Sequence, residues 1–137
     1  MTGEAIMTNT YRIGLAIFAL SAACASAAAD FDGSKMIICA PVEAMDCTPG
    51  AVCARGLPEE VGAPAFLRID FGKKLVVGPK RSTAIVSFEK NESQVLLQGT
   101  ELGFGWSIAV DQQDGRMSAT LTNREGAFVL FGSCTPL

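Results

Sequence analysis

Three cysteines crowd into residues 38–53, "ICAPVEAMDCTPGAVC", and a fourth, Cys134, lies near the C-terminus. Thiols in such a cluster can hold a metal, run redox chemistry or form disulfides. A four-cysteine zinc site favours two short knuckles of two to four intervening residues. Here Cys39, Cys47 and Cys53 are separated by seven and then five residues, followed by a gap of eighty. A redox pair would normally be C-x-x-C, which is absent. We therefore expect two disulfides and no metal or other cofactor. Of the three possible pairings, Cys47–Cys53 with Cys39–Cys134 is the preferred one. The first closes a short Thr-Pro-Gly loop, and the second joins the first and last strands if the sheet closes on itself.

The other catalytic residue types are sparse. The chain has no histidine, so every Ser-His-Asp or Cys-His nucleophile pair is excluded, as is any His-containing zinc site. Carboxylates remain, with Glu59 and Glu60 adjacent in a loop and Glu101 beside an aromatic stretch. A glycosidase-type pair must be held across a cleft, and nothing in the sequence places two carboxylates that way. The expectation is that the protein is not an enzyme, with a carboxylate-based hydrolase as the last alternative. Lys73, Lys74, Lys80 and Arg81 form two pairs divided by a strand of about five residues, hence roughly 17 Å apart, and read as solvated turn charges. "DQQDG" (111–115) reads as a hairpin turn because it lacks calcium-loop spacing. "NES" (91–93) matches a glycosylation acceptor, a pattern short enough to occur by chance.

Residues 1–29 have the pattern of an export signal. Arg12 precedes the uncharged run "IGLAIFALSAACASAAA", and Ala27-Ala28-Ala29 supplies an A-x-A cleavage site. The segment before Met7 carries Glu4 and suits a basic n-region poorly, so Met7 is the alternative start. Cys24 lies in "LSAAC", which resembles a lipid-attachment site with its leucine one place too far away. Cleavage before Asp30 leaves residues 30–137 as one domain, with ten Lys and Arg against thirteen Asp and Glu. That balance carries no nucleic-acid signature, and no run long enough to span a membrane remains. The expected location is the periplasm or the exterior.

From residue 65 onward the hydrophobic pattern has a period of two, with turns at short intervals. Eight strands are expected: "KMIIC", "FLRIDF", "LVVG", "TAIVSF", "QVLLQG", "ELGFGWSIAVD", "MSATL" and "AFVLFGSC". Turns this short require antiparallel neighbours. The fold class is all-β, a small antiparallel barrel or flattened sandwich, stapled by disulfides. Residues 40–64 are expected to be an irregular cysteine-rich loop, with one helical turn at "PEEVG".

Residues 101–111 form the most patterned strand. Leu102, Phe104, Trp106, Ile108 and Val110 share one face, which should be core, around Trp106 and its neighbours Phe104 and Ile108. Gly103, Gly105, Ser107 and Ala109 share the other. So little side chain on one face suggests close approach by something else. The 40–64 loop is the first expectation for that cover, and a ligand or partner the second.

The run "FDGSKMIICAPVEAMDC…GLPEEVGAPAFLRIDFGKK", with the ending "GTELGFGWSIAVDQQDGRMSATLTNREGAFVLFGSCTPL", resembles a family of small exported bacterial proteins of unknown function. The resemblance covers the whole mature chain and implies no activity, ligand or catalytic residue. In size and disulfide-tied strands the chain is also similar to small periplasmic barrels that inhibit lysozymes or proteases, at the level of architecture. The leading functional expectation is a non-enzymatic module that binds an extracytoplasmic protein or envelope component. Its contact surface would be the 40–64 loop, including Glu59 and Glu60, or the Gly103–Ala109 face. The alternative is a calycin-like barrel holding an apolar ligand near Trp106, although the aromatic content is enough to fill a solid core.

Overall fold

The computed structural model describes residues 30–137. The proposed signal, its cleavage site, Met7 and Cys24 lie outside the described residues. The rest is a single curled antiparallel sheet, a half-barrel drawn together at its seam. Ten strands run in chain order: β1 (Ile37–Cys47), β2 (Ala54–Gly56), β3 (Leu67–Asp70), β4 (Leu75–Val77), β5 (Ser82–Ala84), β6 (Ser87–Lys90), β7 (Gln94–Glu101), β8 (Phe104–Asp111), β9 (Arg116–Thr122) and β10 (Ala127–Pro136). Across the sheet the order is β5-β4-β3-β1-β10-β9-β8-β7-β6, with β2 paired to β1.

The two ends of that order are consecutive in the chain. β5 pairs with β4, and β6 pairs with β7. Between them Ile85 N donates to Lys74 O (2.9 Å) and Val86 N donates to Gln98 O (2.8 Å). One bent stretch, expected as the single strand "TAIVSF", thus spans the seam and brings both sheet edges together. Curling of this kind protects edges that would otherwise template aggregation.

Alternation places the core inside the curl. β7 buries Val95, Leu97 and Gly99, β8 buries Trp106, Ile108 and Val110, and β9 buries Met117 and Ala119. Each fully buried Val, Ile or Leu contributes about 1.5–3 kcal/mol relative to an exposed one. Both disulfides are the expected ones, Cys39–Cys134 and Cys47–Cys53. Cys39 faces Cys134 directly in the β1–β10 register, so the long-range bond ties the first strand to the last.

Two expectations are corrected. β1 continues eight residues past Cys39 to Cys47, because β10 offers it an unbroken partner down to Ala127. A bulge between Pro41 and Glu43 absorbs the proline, which cannot donate to a ladder. The irregular stretch is therefore shorter than 40–64. Pro58–Val61 does form a single 3-10 turn, stopped by Gly62 at φ 73°. The aromatic strand also begins later than expected, at Phe104. Glu101 ends β7, and Leu102 (φ 48°) with Gly103 (φ 82°) makes a two-residue hairpin turn. Positive φ at both central positions gives the type I′ form that matches strand twist.

The two ends of the curl differ. One is closed by residues before β1. Phe31 lies over Gly115, where an added Cβ would come within 2.5 Å of its ring. Gly33 sits against Phe88, which meets Phe71 edge to face at 5.8 Å. Asp32 pairs with Lys90 at 3.7 Å, and Leu137 N donates to Met36 O. The other end, where the β4–β5 and β7–β8 turns lie, opens into a cavity.

Candidate ligand cavity at the open end

The cavity is built from inward side chains that the closing half of the core does not fill. Its volume is about 570 Å³, within the ~300–1,000 Å³ range of small-molecule sites. Leu67 of β3, Val76 of β4 and Ile108 of β8 lie deep in its wall, and Phe104, Leu121 and Phe128 ring its outer part. The Phe104 and Phe128 rings stand 6.1 Å apart, in tilted contact. Val61, Ala63 and Pro64 bring the 3-10 turn and its exit to the same opening.

Trp106 forms one side. Its indole is only 8% exposed and lies over Gly99, its cross-strand partner on β7. A Cβ at Gly99 would come within 2.6 Å of indole Cε2 and 2.5 Å of Ala84 O, so the glycine makes room for both the ring and the seam strand. The indole Nε1–H donates to Thr83 Oγ1 at 3.3 Å, and the Thr83 hydroxyl donates to Thr100 O at 3.1 Å. This relay satisfies the one polar group of the tryptophan and fastens β5 across the seam to β7.

Four charged residues mark the mouth: Glu59, Lys80, Arg81 and Glu101. Arg81 Nε stands 3.6 Å from Glu101 Oε1, linking the β4–β5 tip to the end of β7. Lys80 makes no ion pair among the described residues. The adjacent Glu60 plays a different part, since its carboxylate accepts from Leu57 N at 2.7 Å and organises the 3-10 turn.

Sequence reasoning found some of these residues and missed others. Phe104, Trp106 and Ile108 line the cavity together. Glu59 and Glu101 reach one opening, a meeting that no spacing in the chain announces because the curl of the sheet creates it. The two basic pairs are divided by the three-residue β4. Lys73 stays near Asp70 at 3.9 Å, whereas Lys80 and Arg81 become part of the mouth. Carboxylates that act as general acids are usually tuned by burial, but Glu59 is exposed and Glu101 already has a cationic partner.

The small-residue face is not covered by residues 40–64. Gly103 belongs to the turn, and a Cβ at Gly103 or Gly105 would meet nothing within 4 Å. Ser107 shares a 2.7 Å hydroxyl contact with Thr120, and both border the cavity. Ala109 borders a separate shallow groove with Phe131 and Gly132. This face is small because it is the outside of the curl, where no packing demands size.

No group of His, Cys, Asp and Glu suited to a metal is present among the described residues. The groups with shifted acidity lie away from the mouth. Hydrogen bonds from Ser34, the side chain first and then the backbone amide, lower the pKa of Asp32. Lys35 is raised by its hydrogen bond to Asp30, and Asp114 is lowered by the backbone amide of Arg116. The 111–115 turn is held by Asp111 Oδ1, which accepts from Gln113 N at 2.8 Å.

The chain matches no family model, no curated protein and no solved structure.

Proposed function

We propose that this protein is an exported, non-enzymatic binding module that holds an apolar ligand in the open end of its curled sheet. The observation that carries this reading is the cavity itself, about 570 Å³ walled by Trp106, Phe104, Ile108 and their neighbours. Pockets of this size, mostly apolar with a few polar groups at the rim, are the usual form of a small-molecule site. Two disulfides and the signal-like first 29 residues support an oxidising compartment.

The test uses the chain's only tryptophan as a built-in reporter. Hexadecanol, titrated into the mature oxidised protein below its solubility limit, should shift Trp106 emission saturably. Ala119→Phe fills the cavity from β9 and should abolish the shift in a protein that still unfolds cooperatively. An unchanged emission in the parent protein would overturn the reading.

A second reading is favoured by the loop closed by Cys47–Cys53. Val52 is 94% exposed on a ring held at both ends, a shape suited to insertion into a protein partner such as an envelope enzyme. Recovery of one protein from envelope extract by the parent, lost with Val52→Asp, would support that role.

A further inference from the structure

Building on that cavity reading, we propose that the ligand is an amphiphile with an acidic head group, its apolar body lying against Trp106 and its head held at the mouth by Lys80 and Arg81. Three observations converge.

The first is the distribution of polarity. Below the mouth the walls are Leu67, Val76, Ile108, Ala119 and Leu130, whereas ionised side chains appear only at the rim. A ligand matched to both zones is apolar along most of its length and charged at one end. At about 30 Å³ per water-sized unit, the volume accommodates on the order of twenty non-hydrogen atoms, the size of a sixteen-carbon acid.

The second is the state of the cations. Lys80 and Arg81 are neighbours on one tight tip, fixed by the 2.8 Å bond from Gly78 N to Arg81 O. The approach of Arg81 Nε to Glu101 Oε1, at 3.6 Å, is longer than a hydrogen bond, so the guanidinium keeps donors to fork onto an anion. The Lys80 ammonium has no ion-pair partner among the described residues. Of the two rim carboxylates, Glu101 lies beside Arg81 and Glu59 comes from a different element, the 3-10 turn.

The third is Leu102. It holds a left-handed conformation at φ 48° and leaves its side chain 76% exposed at the mouth. Asn or Gly suits that turn position better on both counts. A strained, solvated leucine is explained if it forms an apolar lip over the ligand where its body meets its head.

The experiment compares sixteen-carbon probes with different heads, each titrated below its critical micelle concentration or, for hexadecanol, its solubility limit, and followed by Trp106 emission. Palmitate should bind about five- to tenfold tighter than hexadecanol, and hexadecylammonium weaker than both. Lys80→Ala should weaken palmitate about three- to fivefold and hexadecanol by less, with Lys80→Glu weakening palmitate further. Palmitoyl lysophosphatidate distinguishes the source of the anion. Tighter binding than palmitate would point to a phospholipid-type head, and weaker binding to a free carboxylate.

Equal affinity for palmitate and hexadecanol, or preference for the ammonium, would overturn the head-group assignment while the cavity reading stands. Binding of none of the probes would remove both.

Discussion

Gly99→Ala tests the packing at the seam with the smallest possible change. Gly99 has an ordinary extended backbone, so an alanine there carries no conformational penalty. Where space allows, the same replacement stabilises a protein by about 0.4–1 kcal/mol, by restricting the unfolded chain. Here the new methyl would lie within 2.6 Å of Trp106 Cε2 and 2.5 Å of Ala84 O. The indole cannot withdraw freely, because its Nε1–H is bound to Thr83. Nor can Ala84 move without pulling Thr83 from Thr100 O and straining the Val86–Gln98 bond. Overpacking of this type costs about 1–3 kcal/mol, and each displaced hydrogen bond about 0.5–1.5. Allowing for relief of one clash by the other, we expect a loss of about 2–4 kcal/mol. In a domain of this length that lowers Tm by roughly 8–16 °C. Urea unfolding with the disulfides intact measures the loss directly, and Trp106 emission should shift to the red in the folded state. A variant as stable as the parent, or more so, with unchanged emission would refute the account of Gly99 as the seat of the indole.

Replacing Cys39 and Cys134 together by serine should cost about 4–5 kcal/mol, against about 2 for Cys47 with Cys53, because the closed loops differ so much in length. Chemical denaturation of the two double variants checks the order, and near-equal losses would count against it. Leu102→Gly should raise stability by roughly 0.5–1 kcal/mol, the relief of the left-handed leucine outweighing the freer unfolded chain. Differential scanning calorimetry reads that sign. Acid should erode the closed end through Asp32, whose folded pKa is lowered below its ordinary value of 3.8. The contribution of Asp32 is present above that ordinary value and lost as pH falls through the lowered folded one. A carboxyl NMR titration of Asp32 before and after Ser34→Ala, which should move the midpoint upward, measures it.

The all-β class and both disulfides were legible because each rests on a local or countable signal. Period-two alternation marks β7 to β10, and the even set of four cysteines after residue 29 marks a covalent frame. The misread elements failed for physical reasons. Residues 40–47 look like loop because Pro41 cannot donate to a ladder, but a bulge places it without breaking β1. "TAIVSF" looks like one strand, and only the closure of the sheet bends it into two. Leu102 continues the apolar alternation of β8 in sequence, so its place in the turn is visible only in its φ angle. The cavity was the least legible feature. Phe104, Trp106 and Ile108 were identified as an inward row, yet a solid core and a hollow end share the same alternation. What separates them is the global curl, which brings Glu59, the Lys80–Arg81 pair and Glu101 to one rim from three places in the chain.

The closed end has a practical consequence for handling the molecule. Asp30 and Leu137, the two limits of the described chain, both lie at the end capped by Phe31, with Leu137 bonded to Met36. The opening is displaced from them by about the length of the eight-residue β8, ~27 Å measured along the strand. A bead, dye or surface coupled at either limit would leave the mouth facing bulk solution. A ligand of the kind proposed for the cavity would approach from the side opposite the attachment.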